Sequence, residues 1–291
     1  MGFINPKTDF AFKKIFGSAQ SKDILISFLN ALIYNGEATI EDLEILDPSL
    51  PSNVQGLKDS YLDVKARLQD GSLVIIEMQI LNVDSFSKRI LYNPAQTYSL
   101  QLNAGEGYRF LKPVIALTLT DFVMFPDSEN LISRFVFKER DHNFSYLENE
   151  FSLIFIELPK FHKMLEELET LTEKWIYFIQ SARTLESIPA PLLDIPELQK
   201  AFQIADRANL SRKDLEDLEK REMFIYDQQG VILYAQNEGR QEGRQEGRQE
   251  GRQEAQLEIA RQSLDLLDDE TIARITQLPI EEVRILRQQR E

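Results

Sequence analysis

DSYLDVKARLQDGSLVIIEMQ, residues 59–79, reads as two strands joined by a tight turn. Asp70-Gly71 is a strong two-residue hairpin signal, because both residues tolerate the positive φ such turns demand. On a strand alternate side chains share a face. Asp63, Lys65 and Arg67 therefore line one side of the first strand, and Glu77 and Gln79 one side of the second. The second strand is apolar from Leu73 to Ile76, as a strand covered on both faces should be. An acid planted at its end is costly unless something pairs with it. Two partners fit. Lys65 or Arg67 can neutralise Glu77 as a cross-strand ion pair, or a divalent cation can be shared by Asp63 and Glu77. The second reading also accounts for the polar Gln79.

Outward from this hairpin the pattern alternates. Phe10, Phe12, Ile15 and Phe16 form one apolar cluster, and Ile24, Leu25, Phe28, Leu29 and Leu32 continue at helical spacing until Asn35-Gly36. Leu43–Leu46, Tyr61–Leu68 and Leu73–Ile80 read as strands, with a loop over Asp47–Gly56 around Pro48 and Pro51. A helix follows over Ser87–Asn103, bent or restarted at Pro94. Strands resume at Val114–Leu119, Arg134–Phe137 and Leu153–Leu158, and helical spacing covers Met164–Ser187, with Trp175 in its core face. The order predicts an α/β fold with a central mixed sheet flanked by helices, followed by an α-helical C-terminal extension.

Composition narrows the chemistry. The 291 residues contain no cysteine and only His142 and His162, so thiolate chemistry and cysteine zinc sites are excluded. A catalytic metal would rest on oxygen ligands, which suits Mg²⁺ or Mn²⁺. The longest apolar runs fall far short of the roughly 20 residues of a membrane span, and the opening lacks a secretory pattern. A cytoplasmic protein with no membrane partner is the expectation. The net charge of −15 argues against loose adhesion to nucleic acid. It is unevenly spread, however: residues 1–120 hold 13 acidic and 11 basic side chains, so the hairpin region is nearly neutral.

After Pro196 the chain reads as helical throughout. Glu238–Gln253 is four tandem copies of Glu-Gly-Arg-Gln. This is either a solvated spacer or a helix whose glycines let a partner backbone approach. Asp268–Gln277 and Ile280–Gln288 read as two short helices around Leu278-Pro279. That spacing resembles a helix-turn-helix, but Glu281-Glu282 at the start of the second helix fits protein contact better than DNA. Four segments are thus expected: a domain over 1–187, a helical link over 188–236, the repeat over 237–254 and a small helical tail over 255–291.

Asp63, a short hairpin and Glu77-x-Gln79 resemble the D…(E/D)-x-(K/Q) signature of PD-(D/E)XK nucleases. The wider text is similar to the Rpn, or PD-(D/E)XK transposase-like, recombination-promoting nucleases. Four blocks carry that likeness: Asp9–Gly17 (DFAFKKIFG), Asp23–Asn30 (DILISFLN), Ile75–Gln79 (IIEMQ) and Phe155–Phe161 (FIELPKF). The resemblance implies a restriction-endonuclease-like core and hydrolysis of DNA phosphodiesters with Mg²⁺ or Mn²⁺. Asp63 and Glu77 would then be metal ligands, together with the Met78 carbonyl. Gln79 stands where many relatives have lysine, so the resemblance leaves a positive charge to be found, and Lys65 on the paired strand is the candidate. Lys13, Lys14, Lys88 and Arg89 are candidate DNA contacts. A homo-oligomer, a dimer for double-strand cutting, would form through the helical C-terminal region. The competing reading is a degenerate nuclease fold kept for oligomerisation or DNA binding.

Overall fold

The computed structural model describes residues 2–50, 60–103, 105–147 and 150–289. Asp59 and most of the expected Asp47–Gly56 loop lie outside the described residues. Two helices open the chain. In α1 (Asp9–Phe16) the Thr8 hydroxyl caps the N-terminus by accepting from the Ala11 N–H, and Ala11, Phe12, Ile15 and Phe16 are buried. In α2 (Lys22–Ile33) the apolar stripe buries Ile24, Leu25, Phe28, Leu29 and Leu32. Asn30 is also buried there, but its amide exchanges two hydrogen bonds with the Ile40 backbone, at 2.8 and 2.9 Å. That bond pair ties the end of α2 to the approach to the sheet.

The strands are β1 (Leu43–Leu46), β2 (Ser49–Leu50), β3 (Ser60–Tyr61), β4 (Val64–Leu68), β5 (Leu73–Gln79), β6 (Val114–Thr120), β7 (Ile132–Phe135) and β8 (Phe151–Glu157). Six of them form one mixed sheet in the order β1-β4-β5-β6-β8-β7. The β1/β4, β4/β5 and β7/β8 pairs are antiparallel, and β5/β6 and β6/β8 are parallel. The helix α3 (Phe86–Ser99) makes the crossover between parallel strands β5 and β6, and it runs unbroken through Pro94.

The expected strand Tyr61–Leu68 is broken at Leu62-Asp63. Continuing the β4/β5 register, in which Val64 faces Ile76, would set Leu62 opposite Met78. Instead the Leu62 N–H goes to the Pro48 carbonyl, while the Asp63 carboxylate accepts from the Met78 N–H at 2.8 Å. The residues before the break pair with β2 in a separate two-stranded ribbon.

One face of the sheet carries Val64, Ala66, Val74, Ile76, Met78, Leu117, Leu119, Ile154 and Ile156 into the main core. There Phe12, Phe16 and Phe28 meet Trp175 and Phe178 of α4 (Leu171–Ser181), with ring centroids 4.4–6.2 Å apart. Beyond α4 lie α5 (Ala190–Leu193), α6 (Pro196–Ala205) and α7 (Arg212–Ser263). Leu192, Leu198, Ala201, Phe202, Ala205, Leu210 and Leu218 all bury in this same core. The expected boundary after residue 187 therefore does not coincide with a structural division. The compact units are Met1–Tyr226 and Asp227–Glu291.

Within the second unit the Glu-Gly-Arg-Gln repeat is helical and exposed along its whole length. Helices α8 (Asp269–Thr276) and α9 (Ile280–Gln288) close a small core of Ala260, Leu264, Ile272, Leu278, Val283 and Leu286. Pro279 occupies the N-cap position of α9. Among the described residues no helix is long and apolar enough to cross a membrane.

Candidate active site

The opposite face of the sheet, under α3, holds the polar cluster. Glu77 sits in the C-terminal half of β5, paired in register with Thr118, on the face that also carries Ile75 and Ala116. It is 8% exposed. Its Oε1 accepts from the Asn93 amide, which comes down from α3 and is itself fully buried. The Asn93 Oδ1 in turn accepts from the Ser60 hydroxyl at 2.8 Å. Asn93 and Arg89 are one helical turn apart on α3, so they reach the same patch of sheet. Arg89 Nε stands 3.5 Å from Glu77 Oε2, and its Nη2 donates to Gln79 Oε1 at 2.6 Å. The Gln79 amide nitrogen is turned away, donating to the Leu81 carbonyl at 2.7 Å.

Asp63 closes the cluster from the break before β4. One carboxylate oxygen takes the Met78 N–H, and the other lies 3.4 Å from Lys13 Nζ of α1. In an antiparallel pair a residue's N–H and C=O point to the same neighbouring strand, so the Met78 carbonyl lies on the Asp63 edge as well.

Burial pushes both carboxyls above their ordinary range. For Asp63 the Met78 N–H and then Lys13 pull the other way, and Asp9 adds to the rise. For Glu77 the Asn93 amide and then Arg89 oppose the rise, while the Asp63 charge adds to it. The two acids thus repel each other in a dry place, and the cations beside them do not fully compensate.

The remaining expected residues are distributed unevenly. Lys65 does not join the cluster: the register sets it between Leu46 and Ile75, away from the Gln79 end of β5. Burial lowers its pKa, and the acid acting on it is Asp47. Arg67 pairs with Glu44 at 2.8 Å, so neither hairpin cation neutralises Glu77. Lys14 turns to Asp214 at 3.0 Å. Lys88 is exposed, without an ion-pair partner among the described residues. Asn93 and Ser60 went unnoticed in the sequence. The one available signal was an asparagine four residues after Arg89, inside an otherwise amphipathic helix.

Glu157, the acid of the FIELPKF block, lies outside the cluster. Its buried carboxylate takes the Met124 and Phe125 N–H groups at 2.6 and 3.0 Å and Lys160 Nζ at 2.5 Å, fixing the segment after β6.

Among the described residues no group of three acids or histidines is assembled to hold a metal. Asp63 and Glu77 nevertheless offer hard oxygen donors, and both carry charge that the protein leaves under-compensated. That donor chemistry fits Mg²⁺ or Mn²⁺, ions that keep several waters and need few protein ligands.

Comparison with curated proteins and with solved structures gave no match. The sequence pattern of the family described as PD-(D/E)XK nuclease family transposase matches residues 6–235, which spans the sheet, the Asp63–Glu77 cluster and the helices that bury with them. With four-fifths of its length so matched, the chain belongs to the PD-(D/E)XK nuclease family transposases.

Proposed function

We propose that this chain is a metal-dependent DNA endonuclease, with Asp63, Glu77 and the Met78 carbonyl as the ligands of one Mg²⁺ or Mn²⁺. The observation that carries the reading is the pair of carboxylates, Glu77 buried on β5 and Asp63 part-buried in the break before β4, both pushed above their ordinary range by burial. Such a pair is unfavourable in an empty protein and is relieved by a divalent cation. When bound, that cation supplies Lewis acidity toward a phosphate oxygen and a more acidic water.

The chain's own side chains set the geometry. Asn93, locked by Ser60, fixes the rotamer of Glu77, and the Met78 N–H fixes Asp63. Lys13 and Arg89 stand at the rim with part-exposed side chains, placed to meet backbone phosphates. Lys88 adds an exposed cation on the helix that carries Arg89. Lys14, tied to Asp214, has the weaker claim to such a contact.

Double-strand cutting calls for two centres and hence a dimer, which we assign to the helical C-terminal region. The cysteine-free composition suits the cytoplasm, and the family likeness supports a role in recombination or mobile-element processes.

The test is incubation of plasmid with the purified chain and Mg²⁺ or Mn²⁺, with and without chelator. Asp63→Ala and Glu77→Ala should each abolish cutting while circular dichroism stays that of the parent. Cutting by both variants at the parent rate would remove the assignment. One observation favours a second reading, a weakly active fold kept for assembly or DNA binding: the signature lysine is replaced by Gln79. Under that reading the parent would bind duplex DNA or self-associate but would not cut.

A further inference from the structure

We propose that Arg89 is a catalytic residue, supplying the positive charge that the signature lysine supplies elsewhere and that Gln79 cannot. The inference rests on the nuclease reading and adds a group to it. Gln79 is unsuited to the role because its amide carries no charge and its nitrogen is turned to the Leu81 carbonyl. Its carbonyl oxygen instead anchors Arg89 Nη2 at 2.6 Å. The guanidinium is thereby held against the tip of the residue-79 side chain and 3.5 Å from Glu77. Nη1 has no partner among the described residues, and the side chain is 43% exposed, so a donor and a full charge face outward. Stacking over the Phe86 ring, 5.4 Å from its centroid, steadies the guanidinium further. Lys65, the cation expected from the sequence, is paired with Ile75, four residues before Gln79, and the acid acting on it is Asp47.

In hydrolysis the water oxygen forms a bond to phosphorus while the bond from phosphorus to the leaving sugar oxygen breaks. The water gives up a proton to solvent, and the leaving oxygen takes one up. Negative charge grows on the non-bridging oxygens between those events, and a fixed guanidinium there stabilises it. Glutamine at 79 and arginine at 89 then act as one unit, the amide serving as a bracket for the charge.

The test compares the parent with Arg89→Ala, Arg89→Lys, Gln79→Lys and the double variant Q79K/R89A. Single-turnover cleavage of a duplex is measured across Mg²⁺ concentrations, and the melting temperature of each protein across the same titration. Arg89→Ala should cut about 100- to 1000-fold more slowly at saturating Mg²⁺. Its Mg²⁺-dependent rise in melting temperature should keep the parent's midpoint or reach it at lower Mg²⁺, because the lost cation stood beside Glu77. Lysine at 79 should restore at least a tenth of the parent rate to the Arg89→Ala protein, and Arg89→Lys should fall between parent and alanine. Arg89→Ala cutting within threefold of the parent overturns the proposal. So does a midpoint moved to much higher Mg²⁺, which would make Arg89 a positioning group for Glu77. Failure of lysine at 79 to rescue a folded double variant overturns it as well. A parent that does not cut at all sinks the nuclease reading itself, and that outcome is read in the parent lane alone.

Discussion

Asp63→Asn should make the metal-free protein more stable at neutral pH and less stable than the parent once Mg²⁺ is added. Burial of a carboxylate carries an effective penalty of several kcal/mol. Against it stand the 2.8 Å bond from the Met78 N–H, about 1.5–3 kcal/mol when the acceptor is charged, and Lys13. That ammonium is 3.4 Å away on a side chain 41% exposed, so its contribution is at most about 1 kcal/mol. The upward displacement of the Asp63 pKa says that the penalty wins. Asparagine keeps an acceptor for Met78 and removes the charge, a gain on the order of 1–2 kcal/mol. For a unit of this size the gain raises Tm by about 2–8 °C. The sign with pH follows from linkage: the folded chain holds the Asp63 proton more tightly than the unfolded chain does. Below the unfolded value both states are protonated and the variant has no advantage; the advantage grows as pH rises and levels off above the folded value. Saturating Mg²⁺ reverses the order, since a cation at 100 times its Kd adds about 2.7 kcal/mol to the parent alone. Thermal melts with EDTA, at neutral pH and in acid, and then with Mg²⁺, check each step. A metal-free Asn variant less stable than the parent at neutral pH would show that Met78 and Lys13 already satisfy Asp63, and the argument for an under-compensated centre would fail.

Asn93→Ala removes the donor to Glu77 Oε1 and strands the Ser60 hydroxyl, so urea unfolding should show a loss of about 1–3 kcal/mol. Cutting by that variant should slow more than its stability loss explains, as Glu77 gains rotamer freedom; an unchanged rate per folded molecule would detach Asn93 from the site. The repeat glycines Gly239, Gly243, Gly247 and Gly251 meet nothing within 4 Å of an added Cβ. Replacing all four by alanine should therefore strengthen the helix by about 1 kcal/mol each, visible as a higher helix melting temperature. A drop in mass by light scattering in that variant would instead mean that the glycines admit a partner backbone, the other reading of the repeat.

Much of the sheet was legible in the sequence because its signals are local. Asp70-Gly71 marked the hairpin, and the apolar run ahead of Glu77 marked the buried strand. The break at Leu62-Asp63 was not legible, since it depends on a side chain replacing a ladder partner from another strand. The helices after residue 187 were read as a link because Pro189, Pro191 and Pro196 dominate the text. Two of those prolines sit in the first turn of a short helix, Pro191 in α5 and Pro196 in α6, where a missing N–H costs nothing. The helical spacing of Leu198, Ala201, Phe202 and Ala205 was the signal that outweighed them. Lys65 is the compensating cation the sequence offers because it lies on the paired strand of the hairpin, yet the cations at the cluster come from α1 and α3. No periodicity within the hairpin could point to those helices.

The contrast between Glu77 and Glu157 is what most directly supports the proposed site. Both acids lie in the C-terminal half of apolar strands of one sheet, both lie in blocks that carry the family likeness, and both are buried. In sequence they are equivalent. Glu157 is saturated: two backbone N–H groups and the Lys160 ammonium at 2.5 Å, itself only 11% exposed, take its oxygens. Nothing entering from solvent could better those bonds, and the acid holds a segment in place. Glu77 has one amide and a guanidinium at 3.5 Å whose stronger bond goes to Gln79, while Asp63 beside it has one N–H and an ammonium at 3.4 Å. Those cations are part-exposed and stand 3.4 and 3.5 Å off, so they leave carboxylate oxygens open to a better-charged ion. A fold that can close a buried carboxylate completely, and does so at Glu157, has left two adjacent ones open. Structural need does not explain that difference; the metal-ligand role proposed for Asp63 and Glu77 would.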